Sequence, residues 1–422
     1  MGRRIARILL SIAATLFTAV PNVHADWPRF RGPTGMGIST AKDVPLKWSA
    51  KENLAWKVKL PRSGTSSPIL VGKHIYLTAY SGYNVPGQPV GEQEKLRLHV
   101  LCLNKTDGTI VWDKTIEPKL PEEARIRENH GYASATPVAD AENVYAFFGK
   151  SGVVAFTLAG KELWRADVGK RSDGFGSGAS PMLAGDLLIV NASVESSTLF
   201  AFDKKTGKEA WKVQGIREAY NTPILIESGG KQELVMAMQG SVFSLDPASG
   251  AKLWTCRTDI TWYMVPSVVA ENDIVGCLGG RSGIASLAIK LGGKGEVTAS
   301  HRLWTTTKGS NVPSPILHDG HLYWINDTLG IAYCADVKTG KLVYEERVTG
   351  GGQVYASPVL AEGRIYYVGR DGRTYVLAAK PALEVLATND LRDGSQFNAS
   401  PAVEDGRIYL RSEQYLYCVG KK

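Results

Sequence analysis

Long apolar runs are nearly missing from this 422-residue chain. The longest, Ile8 to Val20, lies near the N-terminus and is too short to span a bilayer comfortably, which excludes a polytopic membrane protein. Helical periodicity of useful length is absent beyond that run. Charge of one sign is scarce too. The formal net charge is +8, and the lysines recur at turns, so a nucleic-acid-binding stripe is excluded. Cysteine is sparse: Cys102, Cys256, Cys277, Cys334 and Cys418 make an odd count, so at least one thiol stays free or pairs outside the chain. Cys256 and Cys277 could pair, but nothing in their spacing demands it. No Gly-x-Ser-x-Gly elbow, His-Glu-x-x-His or Cys-x-x-Cys-His occurs. Gly174, Gly176 and Gly178 lack a following helix and do not form a phosphate cradle. His318-Asp319-Gly320-His321 reads as a hairpin turn rather than a metal site. What is present, 44% hydrophobic residues and 45 glycines, excludes disorder, a coiled coil and a collagen-like chain.

The first 25 residues read as a secretory leader. Arg3, Arg4 and Arg7 precede the apolar run, and Val23-His24-Ala25 suits cleavage before Asp26. The alternative is an uncleaved N-terminal anchor. Asp26 stands where a lipid-anchored form would need Cys. Cleavage after Ala25 would place the protein in the periplasm or outside the cell, with no membrane span.

A repeat governs the rest. A small polar residue precedes proline in Ser67-Pro68, Thr136-Pro137, Ser180-Pro181, Thr222-Pro223, Ser314-Pro315, Ser357-Pro358 and Ser400-Pro401, with Val265-Pro266 as a degenerate eighth copy. Each proline opens an apolar strand and a Gly or Asp turn. A second strand, a third strand and a turn such as Lys205-Thr206-Gly207-Lys208 follow. A tryptophan strand closes the unit, at Trp112, Trp164, Trp211, Trp254 and Trp304, with Tyr344 and Leu386 as weaker versions. Four short antiparallel strands in about 43 residues are the dimensions of one propeller blade. The prediction is an all-β, eight-bladed β-propeller of four-stranded antiparallel blades. The eighth unit lacks its tryptophan strand, and Asn53 to Leu60 is an orphan one. That N-terminal strand should complete the last blade and close the ring, removing an open edge. The expected division is a leader over 1–25, an N-terminal extension over 26–47 and a propeller over 48–422. The protein is expected to be a monomer. Cys102, Cys334 and Cys418 share a repeat position with Ala155 and Ala201, so they read as small buried packing residues.

These motifs resemble the quinoprotein-type (PQQ-like) propeller repeat over nearly the whole chain after the leader. Asp26-Trp27-Pro28-Arg29-Phe30-Arg31-Gly32-Pro33 also resembles secreted bacterial PQQ-binding-like propellers. The resemblance implies one of two jobs. Some members are dehydrogenases holding pyrroloquinoline quinone and calcium in the ring. Others resemble the outer-membrane assembly lipoprotein, a scaffold without cofactor. This chain lacks the adjacent Cys-Cys pair and the haem motif of the alcohol-oxidising enzymes, and it is short for them. The favoured expectation is a non-catalytic scaffold with a protein or peptide partner and no cofactor. The alternative is a PQQ- and calcium-dependent oxidoreductase, with Trp262 stacking, Arg62 or Arg217 near the quinone oxygens and Asp173 as base. A carbohydrate or small-molecule binding module is a third.

Strand order places the loops between strands two and three, and those leading to the next blade, on one irregular face. It carries the insertions Tyr80–Leu96 and Ile116–Tyr132, and variable loops on a rigid frame are where function usually sits. Residues leading into each inner strand should line the channel mouth there. The candidate ligand-binding residues are Arg62, Asn129, His130, Tyr132, Asp173, Arg217, Tyr220, Asn221, Trp262, Asn311, Tyr355 and Asn398. They are aromatic, amide and cationic, suited to a planar polar ligand or a peptide segment. The bland reading is that these groups satisfy loop backbones and hydrate the channel. No cluster has the ligand spacing of a metal site, and no catalytic residue is assigned.

Overall fold

Why the chain closes into a ring follows from what each blade leaves unpaired at its two edges. The computed structural model describes residues 27–421, with Arg127 and Asn129 described in backbone only. The expected leader and its cleavage point lie outside the described residues. Eight four-stranded antiparallel sheets follow one another along the chain. In blade 1 the strands are Ile69–Val71, His74–Ser81, Arg97–Asn104 and Ile110–Ile116, numbered outward from the channel. Blade 8 is built from both chain ends: Leu54–Lys59 pairs antiparallel with Tyr415–Val419, Trp56 facing Cys418. The predicted closure by the orphan strand is therefore present.

Two inter-blade devices repeat around the ring. On the outer strands, the indole N–H groups of Trp56, Trp112, Trp164, Trp211 and Trp304 each donate to a backbone carbonyl in the next blade's turn, at 2.8–3.3 Å. The turn glycine packs on that indole. A Cβ at Gly207 would sit 2.5 Å from Trp164, and one at Gly340 2.4 Å from Trp304. Both glycines also have positive φ, so the Thr-Gly turn is required twice over. Trp254 departs from the pattern and donates to Glu233 in its own blade. Each outer aromatic faces a small residue of the third strand: Trp112 faces Cys102, Trp164 faces Ala155 and Tyr344 faces Cys334. The cysteines are indeed buried packing residues. All five are free thiols, Cys256 and Cys277 included.

Around the channel, the hydroxyl at the entrance to each inner strand accepts the backbone N–H of its counterpart one blade earlier. The chain of bonds runs Ser67, Thr136, Ser180, Thr222, Ser267, Ser314, Ser357, Ser400 and back to Ser67, at 2.9–3.1 Å. Each contributes on the order of 1 kcal/mol, and the circuit uses every blade once. It also corrects the repeat register. The fifth copy is Ser267-Val268, not Val265-Pro266. Pro266 lies two residues early, and the hydroxyl, not the proline, is what the circuit needs.

The seam between blades 8 and 1 has its own bolt. Arg411 is buried and donates through Nη1 to the Ser66 carbonyl (2.9 Å), the Ser66 hydroxyl (2.6 Å) and the Thr78 carbonyl (3.0 Å). Burial pulls its pKa down to about 9.

The N-terminal extension does not trail away. Residues 27–48 cross the short-loop face as a strap. The carbonyls of Trp27, Pro28 and Gly37 accept the N–H groups of Leu70, Ala139 and Leu360, on the inner strands of blades 1, 2 and 7, at 2.7–2.9 Å. Ile38–Ser39 pairs parallel to the inner strand of blade 7. Arg29 reaches the Pro223 carbonyl of blade 4 at 3.1 Å, and Arg31 the Pro315 carbonyl of blade 6. Trp27, Arg29, Arg31 and Trp48 are all buried. The strap thus covers inner edges that would otherwise face water.

Candidate functional site

Inside the hydroxyl circuit lies a chamber of about 390 Å³. Its lower wall is the circuit itself, and Phe30 of the strap lines it from below. At its upper end lie the loops of the irregular face. The channel is therefore a socket with one mouth.

Blades 3 to 5 supply an aromatic wall. The rings of Phe175 and Tyr263 are 4.6 Å apart, those of Tyr220 and Tyr263 4.9 Å, and those of Trp262 and Tyr263 5.6 Å. Arg281, exposed on the rim, sits 5.8 Å from the Phe175 ring centre. Asp173 holds this wall in place. One carboxylate oxygen accepts the N–H groups of Phe175 (2.8 Å) and Gly176 (2.9 Å), and the other accepts the Tyr220 hydroxyl (2.9 Å). Burial, and then the charge of Asp173, push the Tyr220 hydroxyl pKa well up, so Tyr220 stays a neutral donor. Tyr263 has φ 62°, a conformation an L-residue adopts at a cost and one that recurs at ligand sites.

His130 sits at the blade 1–2 side, between the Ser134 hydroxyl at Nδ1 and the Phe175 carbonyl at Nε2. Nδ1 also faces the Gly131 carbonyl at 3.1 Å, so a carbonyl stands at each ring nitrogen. Burial lowers the pKa of the ring, which keeps it neutral. Across the ring, the guanidinium of Arg370 stacks 4.0 Å over Tyr355 and donates to Asn398 (2.9 Å) and Gln353 (3.0 Å). Asn221 is buried, its amide nitrogen donating to the carbonyls of Ala237 (2.7 Å) and Met264 (3.2 Å). Those two acceptors fix the amide orientation, leaving Oδ1 without a partner.

Of the residues expected at the mouth, His130, Tyr220, Asn221, Asn311, Tyr355 and Asn398 line the chamber. Asp173 and Trp262 stand one contact behind it. Three lie elsewhere. Arg62 turns outward to Asp113, 3.4 Å away on the outer strand of blade 1. Arg217 is exposed and outside the chamber. Tyr132 packs on Tyr80 and Tyr83, tethering the blade 1 insertion. Asn129 lies in the helical turn Ile126–Asn129, and its side chain is outside the described residues. Sequence reasoning missed Phe30, Phe175, Arg281, Asp327 and Arg370. The loops that hold them do not follow the repeat. Asp327 and Arg370 nonetheless share the turn between strands two and three in blades 6 and 7, a signal that aligning those turns would have exposed.

A second cluster lies beside the chamber. Glu195 is buried and accepts the Ser177 hydroxyl, while Glu122 stands 3.8 Å from the buried Lys150. Burial raises both carboxyl pKa values to about 7.

Fold and chamber together define a closed eight-bladed propeller of the PQQ-like type with a one-mouthed axial socket. The family model described as outer membrane protein assembly factor BamB matches residues 96–346, more than half of the chain, and the chain belongs to that family. A curated relative, outer membrane protein assembly factor BamB of Yersinia pestis, is 21% identical over 234 residues. That match covers 51% of this chain and 57% of the relative, so the chain spans little more than half of the relative's length. Among solved structures, BamB from Moraxella catarrhalis superposes with a TM-score of 0.61 at 14% identity, covering 87% of this chain and 96% of that one. Quinohemoprotein alcohol dehydrogenase from Comamonas testosteroni gives 0.58 at 12% identity, covering 94% and 81%. At such identities these likenesses speak for the fold alone. No helix among the described residues is long and apolar enough to cross a membrane.

Proposed function

We propose that the protein is a non-catalytic binding scaffold of the periplasm or cell exterior that receives a segment of a protein partner through the irregular face. The observation that carries this reading is the blind socket: one mouth walled by aromatic rings, a floor supplied by the strap, and room for a side chain with its flanking backbone. Membership of a family described as an outer membrane assembly factor supports a partner that is itself a protein.

The enzyme alternative requires a planar quinone carrying three carboxylates, held with calcium. The chamber does not fit that group. Arg281 on the rim is the lone Lys or Arg in its lining, too little positive charge for three carboxylates. Among the described residues no three metal-ligating His, Cys, Asp or Glu side chains come together. We therefore derive no redox step.

A photo-crosslinking residue placed at Tyr355, and separately at the exposed Lys212 on the outer strand of blade 3, tests the scaffold reading in the intact envelope. The expected result is a discrete protein adduct from position 355 and none from 212. Adducts from 212 alone, or from neither, would refute it.

A further inference from the structure

The socket's hydroxyls do not choose the charge of a ligand, since each can still donate a proton or accept through a spare lone pair. The groups of fixed sign do choose. Asn221 is 1% exposed, and its amide nitrogen is committed to two carbonyls, so Oδ1 presents a buried acceptor with nothing to accept from. Asn311 Oδ1 is a second such acceptor. Asp327 is 6% exposed and lines the same chamber. One of its carboxylate oxygens takes the Asn311 N–H at 3.0 Å and lies 3.4 Å from the Ser310 hydroxyl. Its other oxygen has no partner among the described residues, and no described cation pairs with Asp327.

A buried carboxylate with no counter-charge among the described residues is costly to leave as it stands. A ligand that brings a compact positive charge and several N–H donors removes that cost. The walls suit the same ligand. Arg370 already lies on the face of Tyr355, and Arg281 lies near Phe175, so this mouth tolerates cations against its rings. Both of those guanidiniums belong to the rim, and neither is placed to serve Asp327.

We propose that the socket takes the ammonium or guanidinium end of a basic side chain, a lysine or arginine presented by the partner segment. This rests on the reading of the socket as a site for a protein segment and names the chemistry of its charged contact. The charged end would lie against Asp327, while Tyr220, Tyr263 and Tyr355 flank the aliphatic stem.

The test uses the whole chain and three capped tripeptides, Gly-Lys-Gly, the same peptide acetylated on the lysine Nζ, and Gly-Glu-Gly, titrated by calorimetry. The lysine peptide should bind saturably, and acetylation should weaken it at least about tenfold. Asp327→Asn keeps an oxygen for the Asn311 N–H and should preserve the thermal midpoint. It should still cost at least about tenfold in affinity for the lysine peptide. Tyr355→Leu should cost several-fold. Equal binding of the acetylated or the glutamate peptide, indifference to Asp327→Asn, or no binding at all would overturn the proposal. Its failure is distinct from failure of the scaffold reading. Adducts at position 355 without lysine-peptide binding would leave the socket a protein site with a different chemistry. Lysine-peptide binding without adducts would make it a site for small amines instead.

Discussion

The two ends of the channel are built in opposite ways. The mouth is assembled from separate loops of nearly every blade, each contributing one or two side chains: Phe175 from the approach to blade 3, Asp327 from blade 6, Arg370 from blade 7. The floor is one continuous strap, residues 27–48, whose backbone bonds to the inner strands of blades 1, 2 and 7 and whose arginines reach blades 4 and 6. The mouth loops meet one another through side chains, as where Asp173 accepts the Tyr220 hydroxyl and Arg370 donates to Asn398, whereas the strap meets the blades through backbone bonds spread along one segment. The difference assigns recognition to the mouth and closure to the floor.

The largest effect should come from the floor. Trp27 is 1% exposed and sits where the strap meets blade 1. Trp27→Ala should lower stability by about 3–5 kcal/mol, read from the urea midpoint, through lost burial and the cavity left behind. Tyr355→Ala at the mouth should stay within about 1 kcal/mol of the parent. Equal losses would break the contrast between the ends.

A smaller effect sharpens it from the mouth side. Glu195 packs beside the mouth loops with its pKa raised to about 7 by burial. The unfolded chain titrates this carboxyl in its ordinary range. Between that range and about pH 7 the folded protein therefore binds more protons, so stability falls as pH rises, and the penalty is complete above pH 7. Glu195→Gln removes the ionisation. It should gain roughly 1–3 kcal/mol at pH 8 and almost nothing at pH 5. Glu122, raised in the same way, keeps part of the slope in the variant. An unchanged pH profile would mean that Glu195 is not held as buried as the fold requires.

How much was legible in the sequence follows the same division. The blades could be read because their constraints recur: a hydroxyl for the circuit, a glycine under five of the six outer-strand indoles, an aromatic opposite a small residue. The missing eighth tryptophan strand even announced the closure by Leu54–Lys59. The fifth copy was misplaced at Val265-Pro266 because a proline drew the register. Ser267 is what the neighbouring blades bond. At the mouth, position along the repeat found the residues nearest the inner strands, such as Tyr220, Tyr355 and Asn398. It could not find Phe175 or Arg281, whose loops obey no repeat. Nor could it tell that Arg62 would turn to Asp113. The role of the strap was illegible for a different reason. Residues 27–48 make their contacts with strands up to 343 residues away, and no local pattern encodes such pairings.

The strap is seated under the ring and makes the channel a socket. Amide hydrogen exchange read at Leu70, Ala139 and Leu360 tests it most directly, since these three N–H groups point into the channel and their bonds are to the strap. Exchange there should be as slow as in the blade interiors, and faster at the corresponding positions Leu183 and Ala270, which have no strap carbonyl among the described residues. Exchange at Leu70, Ala139 and Leu360 as fast as at those two positions would contradict it.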